Sequence, residues 1–251
     1  MMSLRIRRAM VCGARGGIGE ALVEALLERS ETEKIYGSVR ERPGDRLEQL
    51  AREDARLSLL ALDLQREDTI AAAASRVGQE TGALDLLINA TGLLHREGIS
   101  PEKRLRDVDP SAMAELFAVN ATGPLLLAKH FHEFLRDSEP TALVNLSARV
   151  GSIADNRLGG WYGYRSSKAA LNMLTRGLSI ELKRRSPQLV VAAIHPGTVA
   201  TDLSAPFRGN VPQDALQTPA TAAARILSVV ESLTGQDSGG FFAYDGEAIE
   251  W

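Results

Sequence analysis

The sequence predicts an α/β chain built on one doubly wound, mostly parallel sheet of about seven strands, with helices on both faces. Three observations predict it. Short apolar runs alternate with helix-length segments along the whole chain, and a glycine-rich turn follows the first apolar run. No Pro/Gly/Ser-rich linker or long charge run divides the 251 residues, so a single domain over 1–251 is expected.

The elements follow in order. Residues 9–12 are apolar and end in glycines, after which Ile18, Leu22, Ala25 and Leu26 recur at helical spacing. Residues 34–39 read as a second strand. The charged run containing Glu41, Arg42, Asp45, Arg46 and Glu48 reads as a solvated helix face with i, i+4 pairs. A third strand at 57–62 ends at Asp63, and an alanine-rich helix follows. Residues 84–88, apolar apart from Asp85, read as a parallel strand buried on both faces. A helix over roughly 110–135 leads to a strand at 143–146, a helix over about 162–183 leads to a strand at 189–194, and a helix over 219–233 leads to a closing strand at 240–244. Strands joined by helices of this length require right-handed crossovers. The chain is therefore read as a Rossmann-type domain whose ligands bind beyond the carboxyl ends of the strands.

Composition removes several alternatives. Apolar residues are 44% of the chain, enough for a substantial core, and the net charge of -3 supplies no basic field for nucleic acid. A single cysteine, Cys12, excludes an internal disulfide. The basic start is followed by an apolar run too short for a signal peptide, and no apolar stretch is read as long enough to span a bilayer. A cytoplasmic protein with neither nucleic-acid nor membrane partner is expected.

The segment Cys12-Gly13-Ala14-Arg15-Gly16-Gly17-Ile18-Gly19 lies between the first strand and the first helix. Gly13, Gly17 and Gly19 permit a tight turn and close approach of backbone to a pyrophosphate, and the helix start beginning near Ile18 offers free N–H groups to its charge. The second strand ends Val39-Arg40-Glu41, with Val39 where an acid would read an unmodified ribose. Arg40 and Arg15 together favour a 2′-phosphate, and hence NADP(H), over NAD. Glu41 argues the other way if the register slips by a residue.

Tyr164 and Lys168 are four residues apart at the start of a helix, so phenol and ammonium share a face. A free phenol titrates near ~10, and a neighbouring ammonium would lower that value. Such a pair suits proton transfer to and from a substrate oxygen.

These pieces resemble the short-chain dehydrogenase/reductase family over essentially the full length. The resemblance rests on the turn at 13–19, Asp63-Leu64, Asn89-Ala90-Thr91-Gly92, Val119-Asn120, Tyr164 with Lys168, and Pro196-Gly197-Thr198-Val199-Ala200-Thr201. The stretch 145–153 and the ending Tyr244-Asp245-Gly246 resemble, more narrowly, the C-factor and Sniffer-type carbonyl reductases. The resemblance implies hydride transfer between NADP(H) and a carbonyl or alcohol, with Tyr164 as general acid/base and Lys168 assisting. It implies that Asp63, Leu64, Asn89 and Ala90 line the cofactor site, that Asn120 holds a relay water near Lys168, and that Pro196, Gly197, Val199 and Thr201 cover the nicotinamide. A homodimer or homotetramer is implied as well, through the helices after strands four and five. A second implied reading is an NADP-binding signalling or regulatory protein of the C-factor type with marginal turnover.

Two departures stand out. The family's substrate-binding serine, in the form Ser-x-x-Gly, is Ala148 here, with Ser147 one residue earlier. Three readings stay open: Ser147 turns inward and joins the catalytic residues, Ser152 substitutes, or the role is empty. The family's paired threonine and asparagine are Cys12 and Ala90, and losing both partners leaves no buried orphan. No metal is expected, because His130 and His132 lie two apart on different helix faces and no cluster of ligands joins them. His95 reads as a loop residue near the substrate entrance, with Trp161 and Tyr162 bordering the same space. The segment 203–214, with Pro206, Gly209 and Pro212, is expected to form a substrate lid, and its apolar residues favour an apolar ketone or aldehyde.

Overall fold

The computed structural model describes residues 4–135, 139–210, 212 and 215–251. Seven strands form one parallel sheet: β1 (Arg8–Cys12), β2 (Lys34–Val39), β3 (Leu57–Ala61), β4 (Leu86–Asn89), β5 (Thr141–Leu146), β6 (Leu189–His195) and β9 (Phe241–Ala243), in the order β3-β2-β1-β4-β5-β6-β9. The chain winds outward in one direction from β1 to β3 and in the other from β4 to β9. The two halves meet between β1 and β4, which is the topological switch point where such sheets open a crevice. A separate ladder pairs β7 (Thr198–Val199) with β8 (Leu216–Gln217). Among the described residues seven α-helices accompany the strands: α1 (Gly17–Leu27), α2 (Asp45–Glu53), α3 (Glu67–Glu80), α4 (Pro110–Phe117), α5 (Gly123–Phe131), α6 (Tyr162–Leu182) and α7 (Pro219–Ser232).

The uninterrupted apolar runs follow from burial of both faces. Val11, Ile88, Val144 and Ala192 point to one side, where they meet Leu22 and Leu26 of α1 and Ile226 of α7. Their chain neighbours Met10, Leu87, Leu143 and Val191 point to the other, against Ile70 of α3, Phe131 of α5 and Leu182 of α6. Helix starts are set locally. Asp109 accepts the Ala112 N–H at 2.7 Å ahead of Pro110, and Thr218 accepts the Thr221 N–H at 3.1 Å ahead of Pro219.

The structure corrects three expectations. The strand read at 84–88 starts at Leu86, because the Asp85 carboxylate turns back to accept the N–H groups of Arg7 and Arg8 at 2.8 and 2.7 Å. The helix read over 110–135 is broken by a π-helical turn, Ala118–Thr122, between α4 and α5. That same run is long and apolar enough to cross a bilayer, against the reading that no stretch was. Its buried residues, among them Leu116, Leu127 and Phe131, pack within the protein core.

Candidate active site

A cleft of about 380 Å³ opens beyond the carboxyl ends of β1 to β4, walled by the 13–18 turn, the end of β2, Asp63 and Leu64, and Ala90 to Gly92. Gly13 has φ +83°, and Gly19 lies so close to the Gly13 carbonyl that a side chain has no room there. Ser38 accepts the Gly13 N–H at 3.1 Å, which fixes the turn to β2. Gly16 heads α1 without any side-chain cap, so the first-turn N–H groups of α1 remain free for an anion. The uncapped helix start and the absent Cβ atoms together fit a pyrophosphate. At the far end Arg15 and Arg40 line the cleft, and Arg40 pairs with Glu41 at 3.3 Å with both side chains mostly exposed. Val39 is buried at the end of β2, and Glu41, two residues on, lines the cleft beside Arg40.

Tyr164, on the first turn of α6, and Lys168 are not among the residues that line this cleft, though Leu203 and Gly92 of its wall lie beside them. Tyr164 is buried in an apolar cluster with Leu94, Ile99 and Leu116, against which Ala148, Trp161, Leu203 and Phe207 pack. Burial pushes the phenol up from its ordinary value, and it pushes Lys168 down to about 8. The expectation that the ammonium would lower the phenol is therefore corrected: desolvation dominates, and Lys168 Nζ stands 5.9 Å from the Tyr164 ring centroid while donating to the Leu146 carbonyl at 3.0 Å. A phenol that keeps its proton at neutral pH is a proton donor.

Asn120 sits in the π turn, a kind of irregularity that concentrates at functional sites. Its side-chain amide donates to the Leu93 carbonyl at 2.8 Å and to Ser167 Oγ at 3.0 Å, and its Oδ1 accepts the Leu93 N–H at 2.8 Å. Both amide hydrogens are spent, so any relay water would meet the Asn120 side chain at its oxygen.

The expected residues divide into two sets. Gly13, Arg15, Gly17, Ile18, Arg40, Asp63, Leu64, Ala90 and Thr201 line the cleft. Asn89 does not: its side chain donates to Asn145 Oδ1 at 3.3 Å and accepts the Thr91 N–H at 3.1 Å, knitting β4 to β5. Pro196, Gly197 and Val199 also stand outside the lining. Gln217 donates to the Pro196 carbonyl at 3.1 Å, Gly197 has φ +78° against Tyr244, and Val199 is buried in β7. Ser147 is corrected most clearly. Its hydroxyl donates at 2.6 Å to Asn172 Oδ1, eight residues beyond Tyr164 and so about 12 Å along α6. Ser152 is buried as well and accepts the Asp155 N–H at 3.1 Å. Ala148, packed in the Tyr164 cluster, offers no hydroxyl. Cys12 is buried, and burial pushes its thiol up to about 12, with Ser38 rather than position 90 as its polar neighbour.

Of the lid read at 203–214, Val211, Gln213 and Asp214 lie outside the described residues. The rest carries a short 3₁₀ turn, Ala205–Asn210, and its Leu203 and Phe207 pack against the Tyr164 cluster. Phe207 packs on Trp161 at 4.8 Å between centroids, and His95 meets Phe207 at 5.8 Å while its Nε2 lies 3.1 Å from the Leu203 carbonyl. Sequence reasoning missed Ser38 and Asp202 as cleft walls and Glu102 as a partner of α6. Ser38 and Asp202 lie beside recognised segments, whereas nothing local marks Glu102. Among the described residues no group of three His, Cys, Asp or Glu side chains gathers to hold a metal.

Comparison with known proteins agrees with this geometry. The model of the short chain dehydrogenase family matches residues 7–211. The C-signal protein of Myxococcus xanthus is 37% identical over 171 residues, covering 68% of this chain and 95% of that protein. The NADPH-bound carbonyl reductase from chicken fatty liver superposes with a TM-score of 0.88 at 31% identity, covering all of this chain and 96% of the other. The Sniffer carbonyl reductase of D. melanogaster gives 0.88 at 27% identity, covering 98% of this chain and 100% of the other. From the switch-point cleft to the buried tyrosine and lysine on α6, the chain belongs to the short-chain dehydrogenase/reductase family.

Proposed function

We propose that this chain is an NADP(H)-dependent oxidoreductase that moves hydride between the nicotinamide and an apolar ketone or aldehyde, with Tyr164 handling the proton. One observation carries the reading: a buried, proton-bearing phenol at the head of α6 lies against Leu203, and Leu203 also walls the nucleotide-shaped cleft. NADPH, when bound, supplies the hydride to the carbonyl carbon. Tyr164 Oη then gives its proton to the substrate oxygen, so that C=O becomes CH–OH. Lys168 is mostly an ammonium below about pH 8 and stabilises negative charge left on the phenol. Asn120 contributes an acceptor for a proton-carrying water and braces the Leu93 loop through its side chain. Leu94, Ile99, Leu116 and Trp161 exclude water from the reacting oxygen. Arg40 exchanges its exposed ion pair with Glu41, worth little in water, for a 2′-phosphate that forms stronger charge-assisted bonds.

The test is a fluorescence titration with NADPH and NADH, followed by NADPH oxidation against a panel of ketones and aldehydes. Selective NADPH binding that Arg40→Ala weakens by about tenfold or more supports the phosphate assignment. Equal binding of both nucleotides refutes it.

A second reading, a nucleotide-binding signalling or regulatory protein with marginal turnover, has Ala148 behind it. Ser147 donates to Asn172 and position 148 carries no hydroxyl, and a missing oxyanion donor lowers rate by ~10²–10³. Tight nucleotide binding without turnover on any carbonyl favours that reading. Self-association through α6 belongs with either, since its outward face exposes Met173 and Ile180.

A further inference from the structure

We propose that Glu102 is a positioning residue that sets the entry of α6, holds Trp161 against the catalytic tyrosine and thereby shapes the substrate wall. Helix α6 has no acid in its first turn, and its N-cap residue, Trp161, offers no side-chain cap. The acceptor comes from a loop 61 residues earlier: the Glu102 carboxylate takes the Gly163 N–H at 3.1 and 3.3 Å. The Glu102 backbone carbonyl takes the Trp161 N–H at 2.6 Å. One residue thus grips α6 at its N-cap and again within its first turn. Glu102 is only 5% exposed and, among the described residues, pairs with no cation. The positive end of a 21-residue helix meets its charge instead.

The surrounding backbone is shaped to that grip. Gly159, Gly160 and Trp161 are successive left-handed residues, with φ of 63°, 65° and 50°. The first two are glycines, for which this costs nothing, but Trp161 carries a large side chain and holds that conformation only under constraint. Gly163 is free of side chain for a different reason, since a Cβ there would come within 2.9 Å of Glu102 Oε1 and 2.6 Å of Leu116. The constrained geometry delivers the Trp161 ring edge-on to Tyr164 at 6.3 Å and against Phe207 at 4.8 Å. Stability alone would be served by any capping side chain at position 161. A left-handed tryptophan held by a remote buried acid is explained by where its ring must stand.

The kinetic arm of the test rests on the carbonyl-reduction reading, and the spectroscopic arm does not. The chain has two tryptophans, so Trp251→Phe leaves Trp161 as the sole reporter. In that background Glu102→Ala should lower Trp161 anisotropy and shift its emission to the red. It should raise KM for a bulky apolar ketone about tenfold, while KM for a small aldehyde and Kd for NADPH stay within about threefold. Glu102→Gln keeps one acceptor and should recover most of both signals. Unchanged Trp161 emission and an unchanged ratio of the two KM values in Glu102→Ala would overturn the proposal, as would equal losses for both substrates and NADPH that track Tm. If Glu102→Ala does not fold, Glu102→Gln decides by the same ratio, expected to move about threefold. If the parent protein reduces no carbonyl, the catalytic reading fails, and Trp161 emission still judges Glu102.

Discussion

Replacing Lys168 with methionine should abolish turnover and change how stability depends on pH. The ammonium is 3% exposed, and burial moves it from an ordinary 10.5 to about 8. Below pH 8 folded and unfolded chains both carry the charge, so the folded state bears the whole desolvation cost. As pH rises from about 8 to 10.5 the folded protein gives up its proton first, the unfolded state binds more protons, and stability rises. The gap between 10.5 and about 8, at 1.36 kcal/mol per pH unit, is worth about 3 kcal/mol. Methionine fills similar space without a charge, but it leaves the Leu146 carbonyl without its 3.0 Å donor, at a cost of about 1–3 kcal/mol. The stability of Lys168→Met relative to wild type at pH 7 is therefore a small difference. Its pH dependence is not, because the orphaned carbonyl does not titrate. Urea unfolding of the two nucleotide-free proteins between pH 7 and 11 should show wild type gaining about 3 kcal/mol on the variant. Curves that stay parallel within about 0.5 kcal/mol would refute the claim that burial governs this lysine.

Ala148→Ser should restore a second donor beside Tyr164 and raise kcat for a carbonyl substrate by about tenfold or more, measured by NADPH oxidation; no gain in a folded variant would mean another donor already serves. His195 is held down to about 4 by burial and by nearby Arg149, and its Nδ1 has no partner, so the protein should lose stability as pH falls from 6.5 toward 4. His195→Gln should flatten that loss, by up to about 3 kcal/mol in urea unfolding. The pH profile of kcat/KM for reduction should fall above about 8 as Lys168 loses its charge, and a profile level to pH 10 would contradict the role given to it.

Much of the architecture is legible because it depends on pattern. Strands buried on both faces are largely apolar, and the run read at 189–194 falls within the observed strand Leu189–His195 for that reason. Strand ends are less legible where a side chain intervenes. Asp85 interrupts the apolar run at 84–88, and its carboxylate, holding the Arg7 and Arg8 N–H groups, sets the start of the strand at Leu86. The two-residue ladder of β7 and β8 is too short to leave a periodic signal.

The site divides in the same way. Gly13, Arg15 and Arg40 are found from their place beside the first two strands, since the switch point fixes where a nucleotide lies. Ser147 is misread because a single residue at the end of β5 changes which way a side chain points, and Asn172, which claims its hydroxyl, is 25 residues away in sequence. Asn89 belongs to a recognised motif, yet its amide serves the sheet. Glu102 is invisible to pattern, because its partners are brought to it only by the fold.

The most direct test of the catalytic claim is a single-turnover reaction with enzyme in excess over NADPH, comparing wild type with Tyr164→Phe on a carbonyl that wild type reduces. Both proteins should bind NADPH with Kd values within about threefold, and the hydride-transfer rate of the variant should fall by at least about 10²-fold. A variant that binds NADPH normally and still transfers hydride at a near wild-type rate would contradict the role of Tyr164 as proton donor.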